Sequence, residues 1–97
     1  MNIEVTDKAK EAIEIVIKAE NFTSPQLIVH GQDNDRKINF ELIIVNGVPH
    51  EEDLVFDYGT FKVSINQTYV SFLGEDHVID FQEKPFTAFT FTKKENN

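Results

Sequence analysis

The chain has 97 residues, 17 acidic and 9 basic, for a formal charge of −8, with no cysteine and no tryptophan. At that size a chain buries about 65% of the surface it exposes when unfolded, which supports one modest core and not two. The missing thiols exclude disulfides, thiolate catalysis and cysteine-ligated zinc or clusters, and the acidic balance, relieved by the tight basic pairs Arg36-Lys37 and Lys93-Lys94, argues against a nucleic-acid partner.

Ile3-Glu4-Val5 alternates apolar and polar residues as a strand does, and Thr6 follows with a hydroxyl suited to capping a helix. Ala9, Ala12, Ile13, Val16 and Ile17 recur at three- and four-residue steps, which predicts an amphipathic helix to about Glu20. Asp7 suits the positive end of its dipole, Asn21 is its expected stop, and Ile15 is expected to widen the buried face. After Ser24-Pro25, residues 26–30 read as a strand, residues 31–37 as a polar loop and residues 38–45 as a second strand ending at the Asn46-Gly47 turn. Those strands are expected to pair as a hairpin. Residues 54–56 and 61–65 flank Tyr58-Gly59 and predict another. Residues 67–73 read as a turn or two of helix ending at Gly74. Residues 77–81 and 88–92 complete the strands around Pro85, with Phe89 and Phe91 alternating to give the last strand a buried aromatic face.

This order predicts an α+β domain spanning residues 1–92, followed by a polar tail at 93–97. No stretch approaches the roughly 20 apolar residues that cross a bilayer, and the start Met1-Asn2-Ile3-Glu4 is unlike a secretory leader. The expectation is a cytoplasmic protein with no membrane partner. The acceptor-like triplets Asn21-Phe22-Thr23 and Asn66-Gln67-Thr68 are read as chance in that setting.

Several fragments, in order, resemble the HesB-like or A-type iron–sulphur cluster carriers. Residues 3–9 are similar to that family's opening strand and the Thr-Asp-x-Ala start of its helix, and Leu27-Ile28-Val29 to the strand leading to its first ligand loop. Residues 52–56 resemble its step into a hairpin, residues 61–65 the strand before a short helix, and Phe72-Leu73-Gly74 the end of that helix. Val78-Ile79-Asp80-Phe81 and Ala88-Phe89-Thr90-Phe91 resemble its last two strands. The resemblance implies a mostly antiparallel β-sandwich or barrel with one long amino-terminal helix and one short helix. It also implies one cysteine in the loop after the second strand and a Cys-x-Cys pair near the carboxyl end, because soft thiolates hold iron and sulphide. None of these is present; Asp33 or Asp35 stands near the first ligand place. The carrier chemistry is therefore not transferred to any residue, and no cofactor is expected.

His30 with Asp33 and Asp35 is the candidate metal set, since nitrogen and oxygen donors suit zinc, manganese or ferrous iron; the alternative is a polar hairpin turn with a histidine at its strand end. The segment is not a calcium loop, because Lys37 and Ile38 occupy positions that need an oxygen ligand and a glycine. His50-Glu51-Glu52-Asp53 reads as a solvated loop, and His77, after Glu75-Asp76, as a surface histidine or a pH-sensitive group. Ser24, Ser64 and Ser71 lie in no nucleophile context, and four scattered glycines make no phosphate cradle. The phenylalanines and tyrosines are expected to fill the core, with Phe86, Phe22 and Tyr69 as surface candidates for a partner or subunit interface. The reading is a non-enzymatic module whose partner is another protein or a second copy. A cysteine-independent metal protein is the competing class, and an enzyme would require Glu52, Asp76, His50 and His77 to converge.

Overall fold

The computed structural model describes residues 1–35 and 37–95; Arg36 and the last two residues of the polar tail lie outside them. Strand β1 (Ile3–Val5) leads into helix α1 (Asp7–Glu20), then β2 (Pro25–Asn34), β3 (Lys37–Asn46), β4 (Asp53–Asp57), β5 (Lys62–Asn66), helix α2 (Gln67–Leu73), β6 (His77–Gln82) and β7 (Ala88–Lys93). The α+β expectation holds, with one long and one short helix. Among the described residues no helix is long and apolar enough to cross a membrane.

The strands form two sheets, ordered β1-β6-β7 and β3-β2-β5-β4. Neither closes into a barrel. Adjacent hairpins supply the antiparallel pairs β2–β3, β4–β5 and β6–β7, while β1–β6 and β2–β5 are parallel and link segments distant in sequence. The shared core is Ile3, Val5, Ala9, Ile13, Leu27, Val29, Phe61, Val63, Ile65 and Ile79. On one side the sheets are clipped by the Tyr58 hydroxyl, which donates to the Ile3 carbonyl, and burial pushes that phenol's pKa up. On the other side β3 and β7 face each other across an open groove of about 650 Å³.

Both helices start and stop where their caps dictate. Asn21 adopts the left-handed conformation at the end of α1, as does Gly74 at the end of α2. Thr6 does two jobs at the start of α1: its hydroxyl oxygen accepts from the Ala9 amide at 3.2 Å and donates to Asp80 Oδ1 at 2.7 Å. The Thr6 bond first, then the Phe81 amide, holds the Asp80 carboxyl below the usual carboxylate range. A carboxyl depressed in the folded state stabilises above its unfolded pKa of about 3.9 and ceases to do so as pH falls through the folded value. Asp80 is exposed, so the effect is small. Asp80→Asn is expected to flatten the acid limb of stability below about pH 4, read as urea midpoints across pH, while Thr6→Ala costs about 1 kcal/mol more generally through the lost cap.

Two expectations are corrected. Residues 31–37 are not an open loop: β2 and β3 run ten residues each, paired to Asn34–Lys37, with Asp35 left-handed at φ 44° in the turn. The ladder extends past the core, so its outer residues carry polar side chains that read locally as loop. Ile15, in turn, does not widen the buried face of α1, being 68% exposed.

Candidate functional site

The β2–β3 hairpin tip holds the three candidate metal residues, His30, Asp33 and Asp35. It projects from a base built on Gly31. A Cβ at Gly31 would lie 2.5 Å from the Tyr69 ring, so the ring of α2 rests directly on the strand, and its hydroxyl donates to the Gly31 carbonyl at 3.1 Å. From Tyr69 a chain of rings crosses the molecule. Tyr69 meets Phe40 edge-on at 5.7 Å, Phe40 meets Phe91 at 5.5 Å, and Phe91 stacks on His77 at 4.6 Å.

His30, Asp33 and Asp35 are all exposed on this hairpin. Side chains alternate along a strand, which places His30 and Asp33 on opposite faces of β2, and Asp35 lies in the turn. Among the described residues no three His, Cys, Asp or Glu side chains are grouped to hold a metal ion. The donors are oxygens and one imidazole, a set that does not fit an iron–sulphur cluster.

His77 is buried rather than on the surface, a correction to the sequence expectation. It opens β6 between β1 and β7, where Phe91 covers it, and its Nδ1 lies 3.0 Å from the Glu75 carbonyl oxygen. The adjacent carboxylates are turned elsewhere: Glu75 pairs with Lys93 at 2.8 Å, and Asp76 accepts the Asn2 amide at 2.9 Å. His50, Glu51 and Glu52 are exposed in the β3–β4 connection, as a solvated loop requires. Ser64 is buried but donates to Gln26 Oε1 at 2.7 Å, with no base in that bond. A second cleft, about 260 Å³, lies between the β3–β4 connection and the β4–β5 turn; neither it nor the larger groove is lined by a histidine. Of the surface candidates, Phe86 is 65% exposed, Phe22 is half-buried and Tyr69 is half-buried in the ring chain, whereas Phe72, expected in the core with the other aromatics, is 70% exposed. Its partner Tyr69 takes the inward face of the same short helix, a distinction that seven residues of helix leave too little periodicity to show.

A family profile described as iron–sulphur cluster biosynthesis matches residues 1–97. Among solved structures, Escherichia coli SufA, described as involved in biosynthesis of iron–sulphur clusters, is similar with a TM-score of 0.71 at 22% identity, covering 99% of this chain and 83% of that one. IscA with a 2Fe–2S cluster gives 0.70 at 17% identity over 94% and 84%. A protein of Aquifex aeolicus solved by NMR gives 0.66 at 25% identity over 95% and 91%. A sequence search among curated proteins finds no significant match.

Proposed function

The chain belongs to the iron–sulphur cluster biosynthesis family, and we propose that it works there without carrying a cluster, as a non-enzymatic accessory module that binds another protein. The observation behind this reading is the hairpin tip. Where the family resemblance implies a thiolate, the tip offers Asp33, Asn34 and Asp35, and residues 1–97 contain no cysteine. Carboxylate and amide oxygens are hard donors that do not replace thiolates on iron and bridging sulphide. What remains is a scaffold with the ring chain and sheet edges intact, suited to contact rather than transfer.

Anaerobic incubation with ferrous iron and sulphide, followed by desalting, is expected to leave the protein colourless and free of both elements. Stoichiometric retention of iron and sulphide would overturn the reading. Calorimetric titration with Zn²⁺ and Fe²⁺ tests the competing class at His30, Asp33 and Asp35. Saturable binding well below about 1 mM, abolished by His30→Ala, would replace the accessory module with a metal protein.

A further inference from the structure

The two sheets have four outer strands, β1, β7, β3 and β4. β1 is three residues long, and the Ile3 carbonyl is held by Tyr58. β3 and β7 face each other across the groove, with Phe40 against Phe91 between them. β4, the outer strand beside β5, is likewise hydrogen-bonded on one side alone among the described residues, and it is neither cut short like β1 nor turned toward another edge like β3 and β7.

The turn that joins β4 to β5 fixes which backbone groups are free. The Tyr58 amide donates to the Phe61 carbonyl at 3.0 Å, closing the turn on a hydrogen-bonded pair. Hydrogen-bonded and non-bonded pairs alternate along an antiparallel ladder. Phe56–Val63 and Leu54–Ile65 are therefore the bonded pairs, while Val55 and Asp57 direct their amides and carbonyls away from β5. The Asp53 amide is taken by the His50 carbonyl at 3.1 Å, which leaves its carbonyl outward.

Charge selects what can pair there. A second copy of β4 laid antiparallel about Val55 would set Asp53 against Asp57 twice, with Glu51 and Glu52 adding to the repulsion, so the strand refuses itself. Lys62 is the cross-strand neighbour of Asp57, yet the ion pairs among the described residues are Lys93–Glu75 and Lys94–Glu4. Between the two acids Val55 stands 38% exposed, and Leu54 and Phe56 are half-buried on the opposite face.

We propose that the free edge of β4 is a docking site for an extended peptide segment of a partner protein, with the pattern basic, apolar, apolar, apolar, basic. The partner's backbone completes the ladder with Val55 and its neighbours, and its two basic side chains lie opposite Asp53 and Asp57. The pattern reads the same in both directions, so either strand polarity satisfies it. This rests on the accessory reading above and names the chemistry of the partner.

The test is a titration of the whole protein with acetyl-Lys-Leu-Val-Leu-Lys-amide, followed by amide chemical shifts, with acetyl-Glu-Leu-Val-Leu-Glu-amide as the control. Saturating shifts are expected at residues 53–57, with weakening in high salt and no response to the acidic control. Val55→Pro removes only an outward amide, which an edge strand tolerates, and is expected to weaken binding about tenfold. Should that variant not fold, Asp53→Asn with Asp57→Asn retains the side-chain acceptor for Gly59 and is expected to weaken binding severalfold. Shifts confined to another surface, equal binding of the acidic peptide, unchanged affinity in the variants, or no response at about 5 mM peptide would each overturn the proposal. Shifts at another surface leave the accessory reading standing. Retained iron and sulphide overturn that reading whatever the peptide does.

Discussion

Gly31→Ala is expected to cost about 2 kcal/mol or more, a large effect for the smallest possible side-chain addition. The new methyl would meet Tyr69 Cε1 and Cζ at 2.5 Å and Cδ1 at 2.9 Å, distances that no rotamer change at residue 31 relieves because Cβ is fixed by the backbone. The ring must move. It is held by its edge contact with Phe40 and by the hydrogen bond to the Gly31 carbonyl, so moving it displaces α2 and loosens the ring chain toward Phe91. Overpacking of this kind costs about 1–3 kcal/mol, against a total stability of about 5–15 kcal/mol for a domain. The cost should depend on the ring. In a Tyr69→Leu background, Gly31→Ala is expected to cost less than half as much, a non-additivity that urea unfolding of the four proteins measures. Equal cost in both backgrounds would place the strain elsewhere.

That glycine shows why part of the architecture was legible in the sequence and part was not. The helix from Thr6 to Asn21 follows from local chemistry: a hydroxyl cap, a stripe at helical spacing and a left-handed stop all lie within sixteen positions of one another. The β4–β5 hairpin is local in the same sense, as is the short helix between Asn66 and Gly74. Gly31 carries no such signal. Its role is set by Tyr69, 38 residues away, and a lone glycine before a polar run reads as a loop. The extension of β2 and β3 to Asn34 and Lys37 was hidden for the same reason, since polar residues paired beyond the core show no apolar alternation.

The parallel pairs were likewise out of reach. Nothing near Ile3 announces His77, and nothing near Leu27 announces Val63, although these registers decide which edges stay free. At the candidate site, the types of donor in His30, Asp33 and Asp35 were visible, but their faces depend on knowing that the segment is a strand. His77 was misplaced because its two acidic neighbours suggest solvent, while burial comes from Phe91, fourteen residues later, stacking on its ring. The family resemblance supplies the fold class, because the order of fragments carries information that no single window contains, but it supplies neither the parallel registers nor the burial of His77.

The second large effect is expected at Gln26, a polar side chain only 5% exposed beside Ser64, which is fully buried. Both lie on the face of the four-stranded sheet away from Leu27 and Val63, where one would expect solvent. Topology explains their burial. β3 and β4 are the outer strands of that sheet, so the connection at residues 47–52 must cross β2 and β5 to join them. Gln26 ties it down: Nε2 donates to the Gly47 carbonyl at 3.1 Å, and Oε1 accepts from Ser64 Oγ at 2.7 Å. Gln26→Leu is close in volume but strands a buried hydroxyl donor and frees the connection, and is expected to cost about 2–3 kcal/mol. Ser64→Ala alone leaves an amide oxygen unpaired and is expected to cost about 1 kcal/mol. Removing both partners is different in kind, because no side-chain donor or acceptor of the pair is then left without its mate. The double variant is therefore expected to be no less stable than Gln26→Leu alone, which thermal or urea unfolding decides. Because the same connection delivers β4, hydrogen exchange at the Leu54 and Phe56 amides, which pair with β5, should quicken in Gln26→Leu while the β6–β7 amides are unchanged; equal quickening in both sheets would mean that the tether stabilises the whole fold rather than the strand beyond the crossing.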